Sequence, residues 1–582
     1  MDTFYTNERN VQILISLMKA NGVRKIIASP GTTNITFVAS VQHDPFFEIY
    51  SSVDERSAAY LACGLAAESG EPVALSCTGA TASRNYIPGL TEAFYRKLPV
   101  LAITSTQHTG RVGQMAPQVI DRSVQMKDLV KLSIQAPTIH DADDEWACEV
   151  AMNKALLELR RRGGGPVHIN LTTTYSRDFS VKELPPVRVI NRICHRDALP
   201  ELKRGRVGIF VGAHVKWDDE LLKLVDEFCE AYNGVVFCDQ TSNYRGKFRV
   251  LPAIVCMQAR YVSPVRKFDV LIHIGEISGA YLSFYANHVW RVSVDGEVCD
   301  VFRKLRYVFE MEEKEFFGKY VSAAHDKHNS SDTSFIKEWH GECARVTAKV
   351  PELPFSNIWI AQQTASKLPE GCALHLGILN SLRAWNFFET PDTVTGYSNT
   401  GGFGIDGGLS SLIGASLANR EKLYFGIIGD LAFFYDMNVI GNRHVRNNVR
   451  IMLVNNGRGT EFRLYNHPAN RFGSDADQYM AAAGHFGSKS HRLIKHYAED
   501  LGYEYMSASN KEEYMANVGR FVTPELTDRP IVFEVFTDSG DESKALEIVN
   551  HLETSPEGMA KDAARKILGP TGVQALKKIL KK

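Results

Sequence analysis

Two polar stretches in the last third of the chain combine residue types that could bind a metal ion and a phosphate. Asp430 follows the apolar run 423–428, and Asn456 follows the apolar run 449–454. A segment of helical length separates the runs, so the pattern predicts a βαβ unit with both strands buried in a parallel sheet. Residues just past the carboxyl ends of such strands face the ligand crevice. We therefore expect Asp430 and Asn456 to converge, although 456 − 430 = 26 positions separate them.

A carboxylate and an amide oxygen at one place suit Mg²⁺, a hard cation that binds few protein oxygens and completes its shell with phosphate and water. A helix predicted to begin after Asp430 would direct its N-terminus at the same spot, which favours a phosphate. The residues predict a metal–diphosphate site. The alternative is that Gly-Asp and Asn-Asn are ordinary turns, and these two stretches alone do not decide between them.

The composition describes a globular protein with several domains. At 582 residues the chain is too long for one core, which predicts roughly three to five domains. The net charge of −1 gives no indication of nucleic acid binding. The ten cysteines include no C-x-x-C pair, which favours reduced thiols in a cytoplasmic protein. We find no targeting segment and no run of eighteen apolar residues, so no transmembrane span is expected.

Apolar segments alternate with helical ones along the whole chain, which predicts the α/β class with open parallel sheets. The Pro-rich run 182–189 indicates a linker. The predicted architecture has three doubly wound domains followed by a basic helical tail. The predicted boundaries are 1–182, 190–345, 352–545 and 546–582.

The two polar stretches resemble the cofactor signature of thiamine diphosphate enzymes. Family members usually have Gly-Asp-Gly, whereas the third residue here is Leu431. The longer string GDLAFFYDMN is similar to the MenD family, which joins 2-oxoglutarate to isochorismate. The resemblance implies thiamine diphosphate and Mg²⁺ as cofactors. It also implies a pyrimidine-binding first domain, a central domain, and a diphosphate-binding last domain.

The first domain contains the string VDERS, whose glutamate is Glu55. An acid in the first turn of a helix is often no more than a cap. The resemblance instead implies a carboxyl group against the cofactor's pyrimidine ring, where it promotes proton loss from the thiazolium carbon. Glu55 is therefore a predicted catalytic residue.

The resemblance extends to further residues of both outer domains. It implies that Gln118 faces the reacting centre and that the backbone carbonyl of Arg458 joins Asp430 and Asn456 on the metal. Ile405 matches the apolar residue beneath the bent cofactor, although a core isoleucine would look identical in sequence. The remaining predicted cofactor-binding residues are Gly31, Thr78, Gly79, Ser381, Gly404, Asp406 and Gly429.

Glu461 lies near the position where some 2-oxo acid decarboxylases carry a catalytic carboxylate, with the register differing by one. We predict it as a general acid/base, and a surface glutamate in a loop is the alternative. The acceptor pocket is predicted to include Trp385, Arg383 and Arg463.

The substrate-binding arginines of the MenD family are missing. Their positions are occupied by Thr33, Trp385, Thr400 and the pair Ala280-Tyr281. Neutral residues cannot replace an arginine that grips a carboxylate bidentately. These losses argue against 2-oxoglutarate with isochorismate and favour a small, pyruvate-like 2-oxo acid.

The predicted function is decarboxylation of such an acid and transfer of the resulting acyl carbanion to an aldehyde or ketone. Two alternatives stay open, a simple decarboxylase that releases an aldehyde and a non-catalytic thiamine diphosphate-binding scaffold. The resemblance implies a homodimer or homotetramer with active sites at the subunit interface. The basic tail could touch an anionic membrane surface, and a subunit-packing tail is the alternative.

Overall fold

The computed structural model describes residues 4–214, 217–280, 282–325, 332–485, 490–556, 558–560 and 563. The chain forms two compact units, one comprising Met1–Asp197 and Gly296–Glu310, the other Ala198–Asp295 and Met311–Lys582. The predicted basic helices of the tail lie largely outside the described residues, as does Tyr281. The four predicted domain boundaries stay predictions.

The first part of the chain alternates strands and helices, as the sequence predicts. The strands are β1 Lys25–Ala28, β2 Glu48–Ser51, β3 Val73–Cys77, β4 Val100–Thr106, β5 Leu132–Ala136, β6 Val167–Thr172 and β7 Asn191–Cys194. The helices are α1 Arg9–Ala20, α2 Ile35–Val41, α3 Glu55–Ser69, α4 Thr81–Asn85, α5 Ile87–Tyr95 and α6 Ala142–Glu158. Six strands form a sheet of order β2-β1-β3-β4-β6-β5.

Every pairing in this sheet is parallel. Hydrophobic clusters cover both of its faces. One cluster includes Ile26 and Leu101, and the other includes Ile27 and Ala102, so successive residues of one strand point to opposite cores. A strand buried on both faces reads as a continuous apolar run, which is why these strands are recognisable in the sequence.

The middle of the chain contains further parallel pairs. Its strands are β8 Val207–Val211, β9 Gly234–Phe237, β10 Arg249–Val250, β11 Lys267–Ile274, β12 Tyr285–Val292 and β13 Leu305–Glu310, and its helices are α7 Asp219–Tyr232, α8 Ala253–Cys256, α9 Glu313–His325 and α10 Ser334–Thr347. Within the second unit the order is β10-β9-β8-β11-β12. Within the first unit, β13 pairs in parallel with β7.

The last part of the chain carries the predicted metal site. Its strands are β14 Ala373–Leu376, β15 Thr395–Tyr397, β16 Tyr424–Gly429, β17 Val449–Asn455, β18 Glu504–Ala508 and β19 Ile531–Phe536. Its helices are α11 Asn357–Thr364, α12 Asn380–Trp385, α13 Gly408–Ser416, α14 Asp430–Asp436, α15 Ala476–Tyr479, α16 Leu493–Asp500, α17 Lys511–Phe521 and α18 Ser539–Asn550.

These strands form an all-parallel sheet of order β15-β14-β16-β17-β19-β18. With it, the described residues contain three sets of parallel strands, and the predicted α/β class is confirmed. None of the helices in the described ranges is long and apolar enough to cross a membrane.

Candidate active site

Asp430 and Asn456 lie at the carboxyl ends of two neighbouring strands. β16 and β17 pair with Gly429 opposite Val454, so Asp430 and Asn456 each follow a strand end at the same edge of the sheet. The expected convergence is therefore present. One detail differs from the expectation, because α14 begins at Asp430 itself rather than after it and has only seven residues.

The Asp430 carboxylate is held by a histidine that the sequence analysis did not single out. Asp430 is only 2% exposed. His485 donates from Nε2 to its Oδ2 over 2.8 Å, and the imidazole ring lies 5.1 Å from the Phe434 ring. This hydrogen bond occupies one carboxylate oxygen and leaves Oδ1 for a metal ion.

The two asparagines at the end of β17 have different partners. Asn455 donates from Nδ2 to Glu534 over 2.7 Å, and burial raises the pKa of Glu534, with the charge of Asp430 as a lesser cause. The Asn456 Oδ1 accepts the Thr460 hydroxyl at 2.7 Å. Asn455 thus anchors the end of β17 to Glu534 of the neighbouring strand β19. The amide oxygen of Asn456 keeps a second lone pair that can bind a metal ion.

A cleft opens beside these residues, entirely within the second unit. Its empty space measures about 820 Å³, including the part open to solvent. Predicted site residues that line it are Ser381, Ile405, Gly429, Asp430, Leu431, Asn456, Arg458 and Glu461. Gly404 and Ile405 line an adjoining smaller pocket. Asp406 is exposed and lines neither the cleft nor the smaller pocket. A Cβ added to Gly404 would lie 2.5 Å from a carboxylate oxygen of Asp406.

A buried acid supports the wall of the cleft that carries Ser381. Both oxygens of Glu542 accept the backbone N–H of Asn357 at 3.0 Å, and the Asn357 amide donates to the Ser381 hydroxyl over 3.2 Å. Burial raises the pKa of Glu542 to about 7. The chain of contacts fixes Ser381, which is itself 3% exposed.

Glu461 is engaged in a two-pronged ion pair. Arg383 donates to its two oxygens over 2.9 and 3.0 Å. The other two arginines near the cleft are also paired, because Arg458 and Arg463 both contact Asp477. Trp385, predicted as part of an acceptor pocket, is 0% exposed and does not line the cleft.

The chemistry of these donors fits Mg²⁺ and a diphosphate. Carboxylate and amide oxygens suit a hard cation, and no group of three or more His, Cys, Asp or Glu side chains that could hold a metal exists among the described residues. A metal there can take further ligands from the backbone, the cofactor and water. A Cβ added to Gly429 would have no neighbouring atom within 4 Å. Because Gly429 lines the cleft, a side chain at this position would project into it.

In the first unit, Glu55 is the first residue of α3 but does not cap it. The cap is Asp54, whose Oδ2 accepts the Ser57 backbone N–H at 3.2 Å. Burial raises the pKa of the Cys77 thiol to about 12, and the charge of Glu55 adds a smaller upward effect. Glu55 therefore lies near the end of β3, and no described residue hydrogen-bonds its carboxylate.

The other predicted residues of the first unit meet at three loops. A Cβ on Gly31 would lie 2.4 Å from the Thr78 Cβ, and one on Gly79 would lie 2.8 Å from the Gln118 carbonyl oxygen. Gln118 is exposed and has a φ of +63°, a conformation that non-glycine residues seldom adopt. Thr33 hydrogen-bonds to the Thr78 hydroxyl over 2.7 Å.

Sequence reasoning missed His485 and Glu542. His485 lies 485 − 430 = 55 positions from Asp430, in a segment without periodicity, so no local pattern pairs them. Glu542 is in the first turn of α18, where an acid normally suggests only a favourable helix start. The position of Glu542 just after the apolar strand β19 was a weak sequence signal that it lies near the site.

Residues 9–126 match the family described as "Thiamine pyrophosphate enzyme, N-terminal TPP binding domain". That segment includes Glu55 and the loops that carry Gly31, Thr78 and Gly79. Together with the parallel sheets and the cleft, the match defines a thiamine diphosphate-dependent enzyme.

Relatives specify the branch of this class. The 2-succinyl-5-enolpyruvyl-6-hydroxy-3-cyclohexene-1-carboxylate synthase of Bacteroides thetaiotaomicron is 30% identical over 579 residues, covering 94% of this chain and 99% of that protein. The synthase of the same name from Phocaeicola vulgatus is 32% identical over 573 residues, with coverage of 94% and 99%. The chain belongs to this synthase family, the MenD family, as the sequence motifs indicated.

A solved structure, "Rhodococcus jostii RHA1 thiamine diphosphate-dependent 4-hydroxybenzoylformate decarboxylase", aligns with a TM-score of 0.39 and 16% identity, covering 91% of this chain and 99% of that chain. Membership of the MenD family makes this protein an enzyme that uses thiamine diphosphate for decarboxylation and transfer.

Proposed function

We propose that this enzyme uses thiamine diphosphate with Mg²⁺ to decarboxylate a small, pyruvate-like 2-oxo acid and transfers the acyl unit to an aldehyde or ketone. The observation that carries the proposal is the bidentate pairing of Arg383 with Glu461 beside the cleft. When both terminal nitrogens of a guanidinium donate to a carboxylate of the protein, few donors remain to bind a carboxylate of the substrate.

The charge around the cleft supports a substrate with one carboxylate. Arg458 is the sole arginine among the described residues that line the cleft, and it is paired with Asp477. Two positions where the family carries substrate-binding arginines hold buried neutral residues, Trp385 at 0% and Thr400 at 4% exposure. A second substrate carboxylate would have to be desolvated without a cationic partner, which costs several kcal/mol.

The chain's own residues have the following roles in the proposal. Asp430, Asn456 and the Arg458 carbonyl bind Mg²⁺, and Ser381 binds the diphosphate. Glu55 exchanges a proton with the pyrimidine ring. When bound, thiamine diphosphate supplies the carbon nucleophile and accepts the electron pair left as carbon dioxide departs. Glu461, held by Arg383 over 2.9 Å, positions that arginine, and its role as an acid/base stays a prediction.

The first test separates cofactor binding from turnover. Metal-stripped protein is titrated calorimetrically with thiamine diphosphate, with and without Mg²⁺, using wild type, Asp430→Ala and Glu55→Gln. We expect Mg²⁺-dependent binding that is lost in Asp430→Ala. Glu55→Gln should retain diphosphate and metal binding but lose at least about 100-fold in decarboxylation, since general acid–base groups contribute that much or more. Equal activity of Glu55→Gln and wild type would disprove the enzymatic roles assigned here.

Product analysis then tests the substrate. Pyruvate is supplied with and without an added aldehyde, and 2-oxoglutarate with isochorismate serves as the comparison. We expect a higher kcat/KM for pyruvate and a new carbon–carbon bond when the aldehyde is present. Free acetaldehyde as the sole product under both conditions would assign a simple decarboxylase, and preferred turnover of 2-oxoglutarate would refute the substrate proposal.

A further inference from the structure

A mostly apolar pocket, the side pocket, lies next to the cleft within the second unit. Its empty space measures about 380 Å³, including the part open to solvent. Ligand pockets of proteins reach this size and are lined mainly by apolar side chains with a few polar groups. The apolar residues that line the side pocket are Ala253, Met257, Gly279, Ala280, Leu282 and Leu379.

The two polar residues of the side pocket already have partners within the protein. Arg383, which the sequence predicts for the acceptor pocket, donates from Nη1 and Nη2 to Glu461 over 2.9 and 3.0 Å. Asn386 accepts the Gln240 backbone N–H at 2.8 Å. No acidic side chain is among the described residues that line the pocket. A charged ligand group would therefore lose its hydration here without a free counter-charge, whereas an apolar group gains free energy by leaving water.

Leu379 lines both the cleft and the side pocket, so the two spaces share a wall. Its backbone has a φ of +66° and a ψ of −112°, a conformation that a bulky residue seldom adopts. Arg383 holds this turn twice, because its backbone N–H donates to the Leu379 carbonyl over 2.8 Å and its Nη1 donates to the Asn380 side chain over 3.0 Å. Strained backbone of this kind persists where the surrounding structure enforces it, and it clusters at ligand-binding sites.

One wall of the side pocket is formed by the loop that carries Gly279 and Ala280. A Cβ added to Gly279 would lie 2.2 Å from Leu382 Cδ2 and 3.2 Å from Thr400 Cγ2, so the loop packs closely against α12. Ala280 is half-buried and lines the free space. A larger side chain at position 280 would therefore occupy part of the pocket.

We propose that the side pocket binds the carbon chain of the acceptor, which is an aldehyde or ketone with an uncharged alkyl chain. This inference rests on the proposed function and narrows the class of acceptor. The carbonyl group of such an acceptor faces the cleft, where the metal and cofactor residues lie, and its chain extends past Leu379 into the side pocket.

The transfer needs no oxidant or reductant. Cleavage of the bond between the carboxylate and the carbonyl carbon of the 2-oxo acid releases carbon dioxide and leaves the electron pair to the acyl carbon. That carbon forms a bond to the carbonyl carbon of the acceptor. The π electrons of the acceptor carbonyl move to its oxygen, which takes up one proton, so the product is an α-hydroxy ketone.

A comparison of acceptors with the holoenzyme tests the proposal. With pyruvate at saturation, kcat/KM is measured for acetaldehyde, butanal and 4-oxobutanoate, which has the length of butanal but ends in a carboxylate. Each methylene that leaves water should raise kcat/KM about three- to fourfold, so butanal should exceed acetaldehyde by roughly tenfold. 4-Oxobutanoate should be at least about tenfold less efficient than butanal, because its carboxylate meets no free cation in the pocket.

Variants of the pocket wall should change this preference in opposite directions. Ala280→Phe should fill the pocket and remove the advantage of butanal over acetaldehyde. Met257→Ala should enlarge the pocket and shift the optimum to hexanal, and it keeps the proposal testable if Ala280→Phe does not fold. The control is Ala516→Phe, which adds the same side chain at an exposed position of α17 and should keep the wild-type preference.

The outcomes separate this inference from the proposed function. Equal efficiency with the three acceptors, preference for 4-oxobutanoate, or a preference that neither wall variant changes would overturn the inference and leave the proposed transfer standing. If no acceptor were joined to the acyl unit, the proposed transfer would itself fail, and this inference with it.

Discussion

At the residue scale, the contact between His485 and Asp430 distinguishes this site from a plain pair of oxygen ligands. The imidazole holds one carboxylate oxygen at 2.8 Å, and Asp430 is nearly fully buried. Hydrogen-bond partners of metal ligands orient them and commonly change metal affinity when they are removed. His485 therefore has the geometry of a positioning residue for the metal site.

We expect His485→Ala to weaken Mg²⁺ binding about 10- to 100-fold, because the Asp430 carboxylate loses the donor that fixes its rotation. The measurement is a Mg²⁺ titration at saturating thiamine diphosphate, followed by calorimetry. The matched control is His496→Ala, which removes an exposed histidine of the same region. If His485→Ala bound Mg²⁺ as tightly as the control, the positioning role would be refuted.

At the element scale, α3 and α5 of the first unit approach each other without room for a side chain. A Cβ on Gly89 would lie 2.4 Å from the Ala59 Cβ and 2.8 Å from the Ala59 carbonyl carbon. The Cys63 thiol donates to the Gly89 carbonyl across the same contact. Since α3 begins with Glu55, this packing sets the position of a predicted catalytic residue.

Gly89→Ala should therefore destabilise the first unit, by about 1–3 kcal/mol or more, because backbone atoms cannot yield as a flexible side chain can. Calorimetric unfolding should show a lower Tm. Gly64→Ala in α3 is the matched control, since a Cβ there meets nothing within 4 Å and replacing a helical glycine stabilises by about 0.5–1 kcal/mol. Equal Tm changes for the two variants would contradict the close packing.

Elements buried on both sides could be predicted closely from the sequence. The strands expected over the apolar runs 423–428 and 449–454 match β16 and β17 to within one residue at each end. Polar contacts between distant segments, such as His485 with Asp430, leave no periodic trace and were not predictable.

The candidate site was predictable to a similar degree. Asp430 and Asn456 could be placed because strand ends in a parallel sheet share one edge. The pairing of Glu461 with Arg383 could not, since both types are equally common as solvated surface charges and 461 − 383 = 78 positions separate them. The domain boundaries and the individual roles of the site residues stay predictions.

At the scale of the whole molecule, the predicted homo-oligomer can be tested through complementation between inactive variants. Glu55 belongs to the first unit and Asp430 to the second. If each active site combines one half from each of two copies, Glu55→Gln and Asp430→Ala should rescue each other after dissociation and reassembly. Random pairing in a dimer predicts recovery of about a quarter of wild-type activity.

The rate of pyruvate decarboxylation by the reassembled mixture is the measurement. Glu55→Gln mixed with Glu55→Ala serves as the control and should recover nothing. Activity no greater than the sum of the two parent variants would refute active sites shared between copies, provided that gel filtration shows mixed oligomers.

The pairing of β7 with β13 has a consequence for how the protein is made. Strand β13 belongs to the first unit but comes late in the sequence. It begins at Leu305, which is 305 − 194 = 111 positions after Cys194, the last residue of β7. At a synthesis rate of about 5–20 residues per second, roughly 5–20 s pass between the two strands on the ribosome. During that interval the edge of β7 is exposed on the nascent chain, while segments of the other unit are already emerging. A chaperone that covers an unpaired strand edge would protect the protein most at this stage of its synthesis.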